Sequence, residues 1–166
     1  MPDAGYWIGT LELVKHSEGG YYKETYRSRE VVAGPHLPER FDGDRALSTS
    51  IYFLLRDSEF SALHRLKQDE VWHFYVGSPL TIHVIDRAGR YRKVKIGRNA
   101  DAGESLQAVV EAGWLFGATV DDPDSYSLAG CTAAPGFDYR DFEMPARREL
   151  IEQYPQHRTI IESLTR

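Results

Sequence analysis

Residues 61–77, Ser61-Ala-Leu-His-Arg-Leu-Lys-Gln-Asp-Glu-Val-Trp-His-Phe-Tyr-Val-Gly77, decide how the rest of the chain is read. An alternating segment carries His64 and gives way to a polar bend at Lys67-Gln68-Asp69. A second strand-like run, 70–76, then opens on Glu70 and stops at Gly77-Ser78-Pro79. Two neighbouring strands joined by a short bend can aim a histidine and a carboxylate at one point. Such groups are rarely placed on apolar strands without a partner or a task. Strand alternation sets the expected phases: if His64 points inward, so do Phe60, Ala62 and Leu66. If Glu70 points inward, so do Trp72, Phe74 and Val76, leaving Val71, His73 and Tyr75 on the other face.

Working outward, 48–55 is a nearly continuous apolar run, expected to be a strand buried on both faces. A barrel wall needs only one apolar face, so this run predicts a homodimer. Residues 21–28 alternate aromatic, charged and hydroxyl side chains and read as a strand, whereas 31–45, rich in Pro, Gly and charge, read as a long surface loop suited to a lid. Trp7, Leu11 and Val14 fall at helical spacing and predict a short helix over 6–14. On the other side, 80–86 and 91–96 form a hairpin across Arg87-Ala88-Gly89-Arg90. Its basic cluster (Arg87, Arg90, Arg92, Lys93, Lys95, Arg98) reads as a solvated face rather than a phosphate site, because Val94 and Ile96 hold the opposite phase. Three more strands follow at 106–111, 114–120 and 126–133. Helices are expected over 146–154 and again after Pro155, where Ile160, Ile161 and Leu164 make an apolar stripe. About nine short strands with helical flanks describe an antiparallel sandwich or barrel. The expected layout is one domain, with the barrel over about 20–134 and helical flanks at 1–19 and 143–166.

The 166 residues carry a formal net charge of −5 with mixed signs, which argues against a nucleic-acid-binding surface. No apolar run approaches the ~20 residues of a membrane span, and the N-terminus lacks the layout of a signal peptide. The single cysteine, Cys131, cannot form an internal disulfide and reads as a packing residue, which fits a soluble protein in a reducing cytoplasm.

The spacing resembles the first cupin motif, G-x5-H-x-H-x3,4-E-x6-G: His64 stands at the first histidine, Glu70 at the glutamate and Gly77 at the closing glycine. With the 64–77 run, Leu80-x-Ile82-His83-Val84-Ile85-Asp86, Ala112-Gly113-Trp114 and the tail 131–138, the chain is similar to the cupin-like proteins called cupin 5, across nearly its whole length. The resemblance implies a mainly β fold, a cupin-type double-stranded β-helix (jelly-roll barrel). It also shows departures. Leu66 stands where the second histidine is expected. In the second motif, Glu111 replaces the proline and Phe116 the histidine. Of the usual three histidines and one glutamate, His64 and Glu70 remain, too few for a tight transition-metal site. No cofactor is expected; a divalent metal would have an incomplete ligand set, and His73 or His83 would complete it only if the strand phase were otherwise.

The resemblance to cupins that act as sugar isomerases and deoxysugar-nucleotide epimerases implies a small polar, carbohydrate-like or nucleotide-sugar ligand. His64 would then be the base and Glu70 its orienting partner or the acid. Tyr22, Arg27, Tyr52, Trp72, Trp114 and Phe116 are the expected ligand-binding side chains. Two other readings stand beside it: His64 and Glu70 as a buried, mutually satisfied polar pair, and a non-catalytic binding or structural dimer with 31–45 as its gate. The expected partners are a second copy of the chain and a small molecule, with neither nucleic acid nor membrane.

Overall fold

The computed structural model describes residues 2–166. A short helix α1 (Ala4–Thr10) precedes β1 (Val14–Lys15) and β2 (Tyr21–Arg27). The small hairpin β3 (Val31–Val32) and β4 (Arg45–Ala46) comes next. The central strands are β5 (Thr49–Arg56), β6 (Phe60–Leu66), β7 (Asp69–Gly77), β8 (Leu80–Ile85), β9 (Tyr91–Ile96), β10 (Gln107–Val110), β11 (Leu115–Val120) and β12 (Tyr126–Ala134). The two-residue β13 (Phe142–Glu143) and the helices α2 (Arg147–Gln153) and α3 (Arg158–Ser163) complete the chain. The long strands are those the alternation predicts. The predicted N-terminal helix ends early, because Val14 leaves it to pair with Tyr22.

Two antiparallel sheets face each other, in the orders β1-β2-β5-β12-β7-β10 and β13-β6-β11-β8-β9. This is the mainly β, cupin-like sandwich, and its inner faces close over one core that includes Phe53, Leu55, Trp72, Leu80, Ile82, Ile96 and Phe116. The C-terminal helices cover the outer face of the second sheet, where Leu150, Ile161 and Leu164 pack on Leu63, Ile85 and Leu115. Each such side chain contributes about 1.5–3 kcal/mol of burial. Helix α1 and the residues after it cover part of the other sheet, with Trp7, Ile8, Leu11 and Leu13 around Leu54, Tyr126 and Leu128. The second apolar face of β5 is thus covered by the chain's own N-terminal helix. It does not by itself call for a partner, and the expectation of a homodimer loses that ground. No helix among the described residues is long and apolar enough to cross a membrane.

Strand phase departs from simple alternation at three bulges, each inserting one residue and turning the residues beyond it to the opposite face. On β7, Leu128 pairs with Val76 but Ala129 with Phe74. Phe74 therefore lies in the core while Val76 joins the α1 cluster, against the expectation that both point inward. On β6, Phe116 pairs with His64 but Ala118 with Ser61. Ser61 is consequently buried on the inner side, and Phe60, expected inside, packs against the C-terminal helices. On β2, Glu24 pairs with Ile51 but Tyr26 with Ser50, which skips Thr25.

Candidate functional site

A cavity of about 530 Å³ opens between the sheets at the end where β2, β5, β6, β7 and β12 carry Tyr22, Ile51, His64, Glu70 and Cys131 on their inner faces. The bulge on β2 brings Tyr22, Glu24 and Arg27 to the same wall, although plain alternation would send Arg27 away from the other two. Phe53, Trp72 and Leu66 form the apolar depth, and the segment with Phe137, Asp138, Tyr139 and Phe142 forms part of the rim.

His64, 2% exposed, does not pair with Glu70. Its Nδ1 lies 2.7 Å from the carbonyl oxygen of Ala62, inside the β6 bulge, and its Nε2 lies 3.3 Å from Oε2 of Glu18. A carbonyl can only accept, so Nδ1 carries the hydrogen. Nε2 is then the atom through which the ring gains or loses its second proton. Glu18 is buried and also accepts the Ser61 hydroxyl at 2.7 Å. One bulge thus supplies both the carbonyl that fixes the imidazole and the hydroxyl that fixes its carboxylate.

Glu18 reaches this position through the turn His16-Ser17-Glu18-Gly19-Gly20, which passes so close to its neighbours that only glycine fits. A Cβ on Gly19 (φ 118°) would stand 2.2 Å from the carbonyl oxygen of Phe60, and one on Gly20 (φ 71°) 2.6 Å from that of Leu54. His16 lies at the same end. Its Nδ1 accepts the backbone N–H of Glu18 at 3.2 Å, and its ring meets Tyr22 edge-on at 4.5 Å. Burial lowers its pKa ahead of the opposing charge of Glu18, so this imidazole is held neutral.

Glu70 faces the same cavity, with the Trp72 indole N–H donating to its Oε2 at 3.0 Å. Burial first, and the charge of Glu18 second, push its carboxyl up to about 8, against the smaller pull of the indole. At neutral pH it is an uncharged acid. Cys131, on the wall beside them, is raised by burial and then by the charges of Glu70 and Glu18, and remains a thiol.

At the rim, Arg27 grips Glu24 through Nε and Nη2 and donates through Nη1 to the Phe137 carbonyl at 3.1 Å. The rim is held from behind by a buried pair, Arg45 donating to both oxygens of Asp141 at 2.7 and 2.6 Å. Arg45 also ties Asp42 and the carbonyls of Gly43 and Asp44. Segment 31–45, expected to be a lid, contributes no residue to the cavity wall and instead braces the 137–142 segment that does.

Of the eight side chains singled out from the sequence, His64, Glu70, Tyr22, Arg27 and Trp72 line the cavity. Tyr52, Trp114 and Phe116 do not. Tyr52 is on the outer face, edge-on to Tyr75 at 6.0 Å, and Trp114 lies beneath the Arg92 guanidinium at 4.3 Å. Phe116 is core, 1% exposed, with its ring 4.1 Å from that of His64.

The donors do not fit a transition metal. The histidine positions of the resemblance are taken by Leu66 and Phe116, both packed in the core, and both His64 nitrogens are committed to Ala62 and Glu18. His73 and His83 cannot complete a set: His73 bonds Thr132 and Gln107, and His83 bonds Tyr91 and Thr119, all outside the cavity. Among the described residues, no group of three or more His, Cys, Asp or Glu side chains is arranged to hold a metal ion.

The family model Cupin_5, described as Cupin superfamily (DUF985), matches residues 5–145. The chain belongs to this family. A Saccharomyces cerevisiae relative, Uncharacterized protein YML079W, is 31% identical over 146 residues, 81% of this chain and 71% of that one. Protein SO0799 from Shewanella oneidensis superposes with a TM-score of 0.89 at 40% identity, covering 100% of this chain and 99% of its own. A hypothetical protein from Leishmania major gives 0.90 at 41% identity, with 99% of both chains covered. Oxalate decarboxylase from Bacillus subtilis shares the fold alone, at 14% identity and a TM-score of 0.56 over 90% of this chain and 36% of its own.

In this Cupin_5 chain, sequence reading missed Glu18, His16 and Ser61. The signal was His16-x-Glu18-Gly19-Gly20: two ionisable groups ahead of a glycine pair that only a tight backbone crossing requires.

Proposed function

We propose that the cavity binds a small polar, carbohydrate-like ligand and moves a proton on it without a metal, as an isomerase or epimerase does. The observation that carries this reading is one cavity holding both an uncharged acid, Glu70, and an anchored His64–Glu18 pair. With a carbonyl-bearing ligand displacing the Glu18 carboxylate from His64 Nε2, that nitrogen takes a proton from the carbon next to the carbonyl, which bears a hydroxyl. Glu70 donates its hydrogen to the oxygen that becomes negative, giving an enediol. For isomerisation His64 then delivers its proton to the former carbonyl carbon while the hydroxyl on the neighbouring carbon returns a proton to Glu70. The Ala62 carbonyl holds the ring in the tautomer this needs.

The test begins with native mass spectrometry and elemental analysis of protein purified without chelators, to identify a bound organic molecule. That molecule is then incubated with the protein in D2O and followed by proton NMR. Deuterium entering next to its carbonyl, and about 10²-fold less of it with His64→Ala or Glu70→Gln, is the expected result. Full exchange by both folded variants would remove the assignment.

A second reading, binding without chemistry, is favoured by the enclosure of the His64 ring and the engagement of both its nitrogens. It predicts a tightly bound molecule that takes up no deuterium. We also propose a homodimer through the outer face of the first sheet beyond α1, where Tyr26, Tyr75 and Val109 are about half exposed (54%, 47% and 51%). Val109→Lys would then convert a dimer to a monomer in light scattering, whereas a monomeric wild type would end this idea.

A further inference from the structure

Four carboxyl side chains line the cavity, Glu18, Glu24, Glu70 and Asp138, against one permanent cation, Arg27. That cation is spent: its guanidinium is forked by Glu24 and bonded to the Phe137 carbonyl. Asp138 is likewise turned to Arg140. At the inner end Glu18 and Glu70 face the space, with Trp72 as the hydrogen-bond donor to Glu70. Much of the remaining wall is aromatic, with Tyr22, Phe53, Trp72 and Phe142 lining the same volume beside Ile51, Leu66 and Ala133. Phe53 and Trp72 stand edge-to-face at 5.6 Å. Ring faces attract cations and carboxylates neutralise them, while no free donor cation is left for a phosphate or carboxylate.

We infer that the ligand of this cavity carries an ammonium group, seated between the Glu18 and Glu70 carboxyls and the aromatic wall. This rests on the second reading of the cavity, a small-molecule site without chemistry, since an ionised Glu70 no longer serves as the acid, and it narrows the class of ligand. An amine-bearing polar molecule fits, whereas the diphosphate of a nucleotide-sugar would meet like charge with no counter-ion. The neutral state of Glu70 agrees with that assignment, since part of its shift comes from the charge of Glu18. A cation between the two carboxyls relieves that repulsion and drives the Glu70 proton out. The other groups facing Glu70's surroundings are His16 and Glu18 from the turn before β2, Tyr22 and Glu24 from β2, His64 from β6 and Cys131 from β12. Among these, His16 is held neutral and Cys131 stays a thiol, while the His64 ring already faces Glu18 through Nε2 at 3.3 Å and leaves the Glu70 side without a cation of its own.

The test uses three probes on the full chain: choline, its uncharged isostere 3,3-dimethylbutan-1-ol, and glucose 1-phosphate. Binding is read from the Trp72 indole N–H resonance, assigned with Trp72→Phe. Choline is expected to bind at least about tenfold more tightly than the isostere. Its affinity should also rise between about pH 6.5 and about pH 9 as Glu70 ionises, with proton release into the buffer seen by calorimetry. Glu70→Gln should flatten that dependence. Equal binding of choline and the isostere, or tighter binding of glucose 1-phosphate, overturns the ammonium assignment and leaves the small-ligand site standing. If none of the three moves the Trp72 resonance at millimolar concentration, both fall. The wild-type comparison decides the matter even where the variant folds poorly.

Discussion

The two ends of the sandwich are built from the same strands and do opposite things. At the end near the β7–β8 turn, Leu55, Leu80, Ala118, Val120 and Ala129 meet across the sheets and leave little or no exposure. At the other end, the same β5, β7 and β12 present Ile51, Glu70, Trp72 and Cys131, and the sheets part around about 530 Å³. The closed end uses aliphatic side chains that interdigitate, and so is stabilised by packing. The open end carries ionisable groups that cannot be packed dry without partners, and each has been given a specific one: Ala62 and Glu18 for His64, Ser61 for Glu18, Trp72 for Glu70. Stability and chemistry are thus divided along the strands rather than between elements.

Substitutions can break or sharpen this division. The largest effect is expected where the two ends meet. Trp72→Ala should cost about 3–5 kcal/mol in chemical denaturation, since a fully buried indole leaves a void in the core and Glu70 loses its donor. Ile82→Ala, wholly inside the closed end, should cost about 2–5 kcal/mol while the titration of Glu70, followed by carboxyl carbon NMR, stays in place. A shifted titration would show that the ends are coupled.

Glu70→Gln sharpens the comparison through pH. The native carboxyl holds its proton up to about 8, while a glutamate in the unfolded chain releases it near 4.5, so between these values the folded state binds more protons. The stability Glu70 contributes is full below about 4.5 and is lost as pH rises through about 8, at a slope of at most about 1.4 kcal/mol per pH unit. The variant keeps an acceptor for Trp72 and loses the slope. Its stability relative to wild type should therefore grow across that window and level off above it. Parallel curves would mean that Glu70 is not the neutral acid. The smallest effect is electrostatic: Glu18→Gln should move the Glu70 titration downward by removing the second cause of its shift, with burial still holding it above the ordinary range.

The long strands were legible because a half-buried strand writes its period of two into the sequence. The His64/Glu70/Gly77 spacing made the family legible as well. The site was legible only in part. His64 and Glu70 are on one cavity, as their spacing suggested, but not in contact. The partner of His64 sits in a turn that reads as a mere break between elements, and Arg27 lines the wall only because Thr25 bulges out of register.

By itself, then, the sequence determined the alternation of the strands, the helical flanks and the pair of ionisable residues placed on apolar strands. These depend on side-chain chemistry and local period, which any stretch of chain carries with it. Only the tertiary structure decided which residue faces which. A bulge is one inserted residue whose cost and benefit lie in the partner strand. Glu18 meets His64 only because two glycines let the chain cross against Phe60 and Leu54, and whether an apolar face needs a second copy depends on where α1 comes to rest.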